Sequence, residues 1–188
     1  MSEPSLFGID KGQWELINSF ANWFAALGTF AAAGIALYLA NRAGRPTAQV
    51  SVGHRIIVGP GSTKPYPEYA VFRIVNTGDR PITVSQIGWK HGLIRRRFAV
   101  QTFEPGSSSP LPVELSHGQV ASWMVPLSSH GEPWMDYFAK TFLSPHYRIA
   151  LWTLRGQFYS SVGHVFTAKP EESLLGPLAR ACEKLKKT

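Results

Sequence analysis

Two hydrophobic periodicities divide the chain. Between Glu15 and Arg42 lie 26 residues without a charged side chain, and the most apolar part, Phe20 to Ala40, is 21 residues long. A helix rising ~1.5 Å per residue carries that stretch about 31 Å, which matches a hydrocarbon layer of ~30 Å. A buried helix of a small domain would be shorter and would carry a polar stripe; here only Asn22 and Thr29 interrupt the apolar surface. Trp14, Trp23 and Tyr38 stand toward the two ends, where amphipathic rings favour the headgroup layer. The pattern predicts a transmembrane helix over residues 16–41. A cleaved signal peptide would need a basic start and a shorter apolar run, whereas this N-terminus is acidic. A soluble helix packed in an oligomer is the remaining alternative, because eight alanines and two glycines make the stretch only moderately apolar.

From Thr47 the period changes to alternation, the mark of half-buried strands. In "TAQVSVGHRIIV", Ala48, Val50 and Val52 share one side. "YAVFRIVNTGDRPITVSQIGW" reads as two strands, with Phe72 and Ile74 opposed to Val71, Arg73 and Val75, joined by turn formers from Asn76 to Pro81. "LIRRRFAVQTF" reads as a further strand that stops at the Pro/Gly/Ser loop 105–112, and "GQVASWMVPL" alternates Ala121, Trp123 and Val125 against Val120, Ser122 and Met124. "YRIALWTLRGQFYSSVGHVF" reads as a hairpin turning at Arg155-Gly156. About seven strands at this spacing predict a sandwich or small barrel. One helix interrupts them, "EPWMDYFAKTF", with Pro133 in its first turn and Trp134, Tyr137, Phe138 and Phe142 at helical spacing. A second, amphipathic helix closes the chain, with Leu174, Leu175, Leu178, Cys182 and Leu185 inward; docking on the body and lying on a membrane are both open to it. The expected fold is mainly β: a transmembrane helix, then a β-sandwich or small barrel with one inserted helix and a C-terminal helix. The expected segments are an extracytoplasmic N-terminus 1–15, the span 16–41, a basic linker 42–46, the β domain 47–168 and the tail 169–188.

Composition sharpens this picture. Charged residues are 16% of the chain, against a usual share of ~25%, as expected of membrane residence or an unusually β-rich body. Of the net +7, residues 1–15 contribute −2 and everything after Asn41 contributes +9. Arg42, Arg45 and Arg55 follow the span and only Lys11 precedes it, so the positive-inside bias places the β domain in the cytoplasm. Those arginines are also expected to meet anionic headgroups. Within the span, Ala21, Ala25, Gly28, Ala32 and Ala36 share one face, opposite Trp23, Leu27, Phe30, Leu37 and Tyr38. Small residues let helix backbones approach closely in membranes, so this face is the candidate for self-association.

Candidate chemistry is sparse. Cys182 is the lone cysteine, and the six histidines show no ligand spacing, so neither a disulfide nor a metal site is expected. "GPGSTKP" at 59–65 lacks the helix that a phosphate loop requires, since Pro65 and Pro67 forbid it. Ser129, His130 and Asp136 are close in sequence, whereas triad members converge from distant segments. Lys184 and Arg180 stand near Cys182 and would depress its thiol pKa, beside the plainer reading of Cys182 as a small apolar contact on the helix's inner side. The sharpest polar feature is Arg95-Arg96-Arg97 after Lys90 and His91. If the strand includes all three, Arg95 and Arg97 share a face, and paired guanidiniums suit phosphate oxygens. Lys90, Arg95 and Arg97 are therefore the candidate contacts for an anionic ligand or anionic lipid, beside the plain reading of a solvated charged strand. Trp89, Phe98 and Tyr66 are candidate stacking surfaces for bases, although aromatics at strand spacing usually form core.

An N-terminal span, an arginine-flanked exit, "VFRIVNTGDRPITVSQIGWKHG" and "LPVELSHGQVASWMVPL" together resemble a broad group of uncharacterised bacterial proteins with one membrane helix and an immunoglobulin-like or small-barrel β domain. The layout is also similar to the transmembrane-β effectors of cyclic-oligonucleotide antiphage systems. That likeness implies a β domain that senses a nucleotide second messenger, and membrane helices that assemble to breach the bacterial inner membrane. The chain departs from that group in having one span where two are common, and no ligand motif matches it residue by residue. Two functions are thus expected, neither enzymatic nor dependent on a cofactor. One is a ligand-gated, self-associating membrane-disrupting effector; the other is a membrane-anchored adaptor or structural protein whose β domain recruits a protein partner.

Overall fold

The computed structural model describes residues 11–43, 45–59, 64–128 and 132–187. Most of the expected extracytoplasmic segment, residues 60–63 of the Gly/Pro loop, and Ser129 and His130 lie outside the described residues. The chain divides into two compact units between Arg45 and Pro46.

The first unit is one helix, α1 (Lys11–Ala43), longer at both ends than the span expected over 16–41. Its segment Phe20–Ala40 has a mean hydropathy of 1.7, long and apolar enough to cross a membrane near the N-terminus. Every residue of that segment is exposed, Phe30 at 79% and Leu37 at 73%. The threonine in it is satisfied within the helix, where Thr29 Oγ1 donates to the Ala25 carbonyl at 2.9 Å. This is the solution a polar group needs where water is absent.

The second unit is a two-sheet sandwich, not a closed barrel. One sheet holds β1 (Ala48–Ile56), β2 (Glu68–Asn76) and β6 (Val120–Pro126) in the order β1-β2-β6. The other has the order β4-β3-β7-β8, built from β3 (Ile82–His91), β4 (Arg97–Val100), β7 (Arg155–Ser160) and β8 (Val165–Ala168). The short β5 (Val113–Leu115) pairs with the first part of β3. All pairings are antiparallel. Alternation works as expected: Phe72, Ile74, Ala121, Trp123 and Val125 are buried. In β3 a register shift between Val84 and Gln86 lets Val84 and Ile87 both face inward despite their odd spacing. Phe72 meets Trp89 edge-on at 4.8 Å and Phe158 at 5.7 Å, so aromatic contacts join the sheets.

One stretch folds against expectation. The segment read as a hairpin turning at Arg155-Gly156 instead opens with a helix, α3 (Tyr147–Thr153). The inward positions there are Tyr147, Ala150, Leu151 and Leu154, a helical spacing that the run of large apolar side chains obscures. Gly156 is not a turn but the second residue of β7, where an added Cβ would strike Val52 across the sandwich. The actual β7–β8 turn falls at residues 161–164, with Gly163 at φ +79°.

Pairing also sorts the loops onto two ends. Ala48 pairs with Asn76, so the chain joins the sandwich beside the turns at 77–81, 116–119 and 161–164. Buried Asn76 ties this proximal end together. Its Nδ2 donates to the Arg80 and Leu115 carbonyls, each at 2.8 Å, and its Oδ1 accepts from the Gly78 N–H at 2.9 Å. The distal end, about 33 Å away along the ten residues of β3, holds the β3–β4 hairpin tip and the helical insert. That insert begins with α2 (Trp134–Phe138), passes into a wider helical turn, Ala139–Leu143, and continues through α3. Trp134 stacks on Phe138 at 4.6 Å, and Phe138 reaches Trp89 at 5.3 Å, which closes the open end of the core. Tyr137, at helical spacing with them, is 55% exposed.

The C-terminal helix, α4 (Glu172–Lys187), docks on the body, with Leu174, Leu178 and Cys182 buried. Arg55 and Glu171 fasten its start to β1 with two 2.7 Å hydrogen bonds, which hold the Glu171 carboxyl below its usual range. Arg55 is thereby engaged within the body, whereas the sequence pattern had offered it to lipid headgroups. Cys182 is a buried apolar contact on the inner side of the helix, and burial pushes its thiol up rather than letting Lys184 and Arg180 depress it.

Candidate anion-binding site

The triple arginine does not form the expected continuous strand. Gly92 adopts φ +97°, and an added Cβ would strike the Arg95 carbonyl, so the chain makes a tight tip over residues 92–96 before β4 begins at Arg97. Arg95 is therefore an exposed loop residue, and Arg95 and Arg97 do not share a strand face. Arg97 has an internal role. Its Nη1 donates to the carbonyls of Phe142 (3.0 Å) and Ser144 (3.1 Å), and its Nη2 to that of Thr141 (3.0 Å). It caps the carbonyl end of the helical turn Ala139–Leu143, where a cation meets the negative pole.

The same carbonyl of Phe142 lies 2.8 Å from Nε2 of buried His91, whose ring meets Phe142 edge-on at 4.6 Å. Burial lowers the His91 pKa; the Phe142 hydrogen bond opposes this and the Arg97 charge adds to it. A histidine held neutral in the fold gives stability that is complete above its unfolded value of ~6.5 and is lost as pH falls below it. Melting temperature should therefore drop between pH 7.5 and 5.5. The His91→Gln variant, which keeps a donor for Phe142, should lose this part of the drop; an unchanged pH profile would exclude His91 as its source.

What Arg97 does not provide, other cations do. Lys90, Gly92, Leu93, Arg96, Trp152, Thr153 and Arg155 line a cleft of about 230 Å³ at the distal end. Lys90 and Arg155 are cross-strand partners on β3 and β7, so both project from the outer face of the sheet. Arg155 is steered by bonds from Nη1 to the carbonyls of Leu154 (2.7 Å) and Trp152 (3.2 Å). The Thr153 hydroxyl accepts the Gly92 N–H at 2.8 Å and so fixes α3 to the hairpin. Trp152 is 67% exposed, a free indole beside three cations. Trp89, one of the expected stacking surfaces, is fully buried and belongs to the core.

On the other side of α3 lies a larger groove, about 460 Å³, lined by Ala139, Lys140, Ser144, Tyr147, Cys182 and Lys186 among others. An adjoining hollow adds Arg148 and Ile149 and shares Pro145, Tyr147 and Lys186. Helix α3 therefore borders both basic depressions. Two of the chain segments that line them carry no carboxylate, although α4 brings Glu183 beside the larger groove. Residues 80–103 hold five basic side chains and no acidic one, and residues 137–170 hold four and none. Such single-sign surfaces attract and steer anions. The sequence displayed this signal as the two gaps between Asp79 and Glu104 and between Asp136 and Glu171, but only the fold shows that they converge.

Three other histidines among the described residues have local partners. His54 lies 3.1 Å from Glu68 on the neighbouring strand, His117 Nδ1 lies 3.1 Å from the Gly78 carbonyl, and His164 rests on Phe166. Among the described residues no group of three or more His, Cys, Asp or Glu side chains is placed to hold a metal ion.

No family model and no curated protein matches the chain. Solved structures give loose likenesses. A protein described as ApaA from Bordetella pertussis is 21% identical, covering 65% of this chain and 87% of its own, with a TM-score of 0.30. A structural-genomics target solved by X-ray crystallography is 13% identical over 64% of this chain and 80% of its own, at 0.31. A late embryogenesis abundant protein in solution is 17% identical over 86% and 91%, at 0.28. Scores this low carry neither fold nor function to this chain.

Proposed function

We propose that this is a non-enzymatic, single-pass inner-membrane protein whose cytoplasmic β domain binds a phosphate-rich signal at its distal end. The observation that carries the reading is the cleft of Lys90, Arg96 and Arg155 beside the exposed Trp152, set in chain segments without a carboxylate. A cleft of about 230 Å³ is smaller than the ~300–1,000 Å³ typical of drug-sized ligands. It suits one phosphate and one stacked base, with the rest of a short oligonucleotide lying across α3 toward Lys140, Arg148 and Lys186. Guanidiniums grip phosphate in bidentate fashion and indoles stack on any base, which gives the two halves of nucleotide recognition. Through the small face Ala21, Ala25, Gly28, Ala32 and Ala36, the spans associate; a ligand that favours the associated form drives assembly and damages the membrane, because equal affinity for both forms would move nothing.

Titration calorimetry of the detergent-solubilised chain with cyclic and linear oligonucleotides tests the ligand. Lys90→Glu with Arg96→Glu, which breaks no side-chain hydrogen bond among the described residues, should weaken binding at least about tenfold. No heat from any oligonucleotide would remove the nucleotide reading. In cells, a cognate messenger should depolarise the membrane, and Gly28→Leu should abolish that effect. Depolarisation that survives Gly28→Leu would remove the packing face. A messenger that binds without depolarising cells would favour the adaptor role.

A further inference from the structure

The hairpin tip between β3 and β4 breaks the usual chemistry of an exposed turn. Apices facing water are ordinarily built from Gly, Asn, Asp, Pro or Ser; this one reads Gly-Leu-Ile-Arg-Arg, with Leu93 60% and Ile94 97% exposed. More apolar surface adjoins it. Trp152 shares the cleft with Leu93, Ile149 precedes Trp152 by three residues on α3 and is 53% exposed, and Phe98 at 59% lies beneath Lys90. Around these apolar groups stand Lys90, Arg95, Arg96, Arg148 and Arg155, and no acidic residue occurs in either chain segment involved.

We propose that this tip is a membrane contact in its own right, entering the headgroup–acyl boundary of a bilayer rich in anionic lipid. Leu93 and Ile94 supply the inserted apolar apex, Arg95 and Arg96 meet lipid phosphates, and Trp152 sits at the headgroup level, where indoles are favoured. The tip is convex, so a rigid protein partner would need a matching acidic, apolar-floored pocket, whereas a bilayer deforms around it. The tip stands at the end of the sandwich remote from Pro46, so this contact is additional to any made near the linker. It does not depend on the oligonucleotide reading, since the apex residue Ile94 does not line the cleft.

The test uses the full chain reconstituted in neutral phosphatidylcholine nanodiscs and mixed with vesicles of phosphatidylcholine alone or with one-third phosphatidylglycerol. Discs should float with the anionic vesicles, and about tenfold less with the neutral ones. The variant Ile94→Asp should lose about tenfold of the flotation while keeping its melting temperature and any oligonucleotide binding, because Ile94 is 97% exposed and lies outside the cleft. Excess inorganic phosphate separates the two sources of phosphate: a site built for the free ion is blocked by it, while the inserted tip holds. Equal flotation of wild type and variant, no flotation with either vesicle, or complete inhibition by phosphate would each overturn the proposal.

Discussion

Melts of the β body carrying Trp89→Ala are expected to show a loss of roughly 3–5 kcal/mol, the range for emptying a large buried aromatic site. Trp89 is fully buried, and it touches both the sandwich core and the helical cap. It meets Phe72 at 4.8 Å on one side and Phe138 and Trp134 at 5.3 and 6.1 Å on the other. Its truncation leaves a cavity between two layers that cannot both collapse into it. A companion pair isolates the polar part. Trp89 Nε1 donates to Gln101 Oε1 at 2.7 Å, whereas among the described residues the buried Trp123 Nε1 has no acceptor. Trp89→Phe abandons the buried Gln101 carbonyl, while Trp123→Phe removes a donor that was already unsatisfied. The first should therefore cost about 1–3 kcal/mol more than the second. Equal losses would show that ring volume, not the hydrogen bond, sets the difference.

Placing an arginine at Phe30, near the middle of the apolar segment Phe20–Ala40, is expected to remove most of the chain from the membrane fraction. On insertion scales a central arginine costs about 2.5–3.5 kcal/mol, and the lost phenylalanine adds a few tenths. The sum is on the order of a hundredfold in the partition ratio. Resistance to alkaline extraction reads the outcome directly. If Phe30→Arg extracts no more readily than wild type, lipid does not surround this helix, and the membrane parts of the proposed function fall with it. The effect should be specific to the segment's middle, because an arginine near either end can reach the interface.

These two sites differ in how much of them the sequence displayed. The long apolar helix was legible because length and hydropathy are sums over adjacent residues, and the boundaries Phe20–Ala40 come from them alone. The faces of β2 and β6 were legible for a similar reason: side chains alternate across a strand, so Phe72, Ile74 and Trp123 declare their side locally. The turn at Asn76 was visible as turn chemistry, although its hydrogen bond to Leu115, 39 residues away, was not.

Tertiary structure decided the rest. Gly156 looked like a turn because glycine usually marks one, yet its cause is Val52 on the opposing sheet. The segment Tyr147–Thr153 carries apolar residues dense enough to satisfy two periods, and packing on the cap selected the helix. The arginines show the limit most clearly. By itself the sequence established that positive charge is concentrated here and that carboxylates are missing nearby. It was the fold that assigned Arg97 to the carbonyls of residues 141, 142 and 144, left Arg95 at a tip, and set Lys90 beside Arg155 across two strands. Periodicity and charge are properties of neighbours in sequence; convergence on a cleft depends on contacts between residues 60 or more positions apart, which no local pattern encodes.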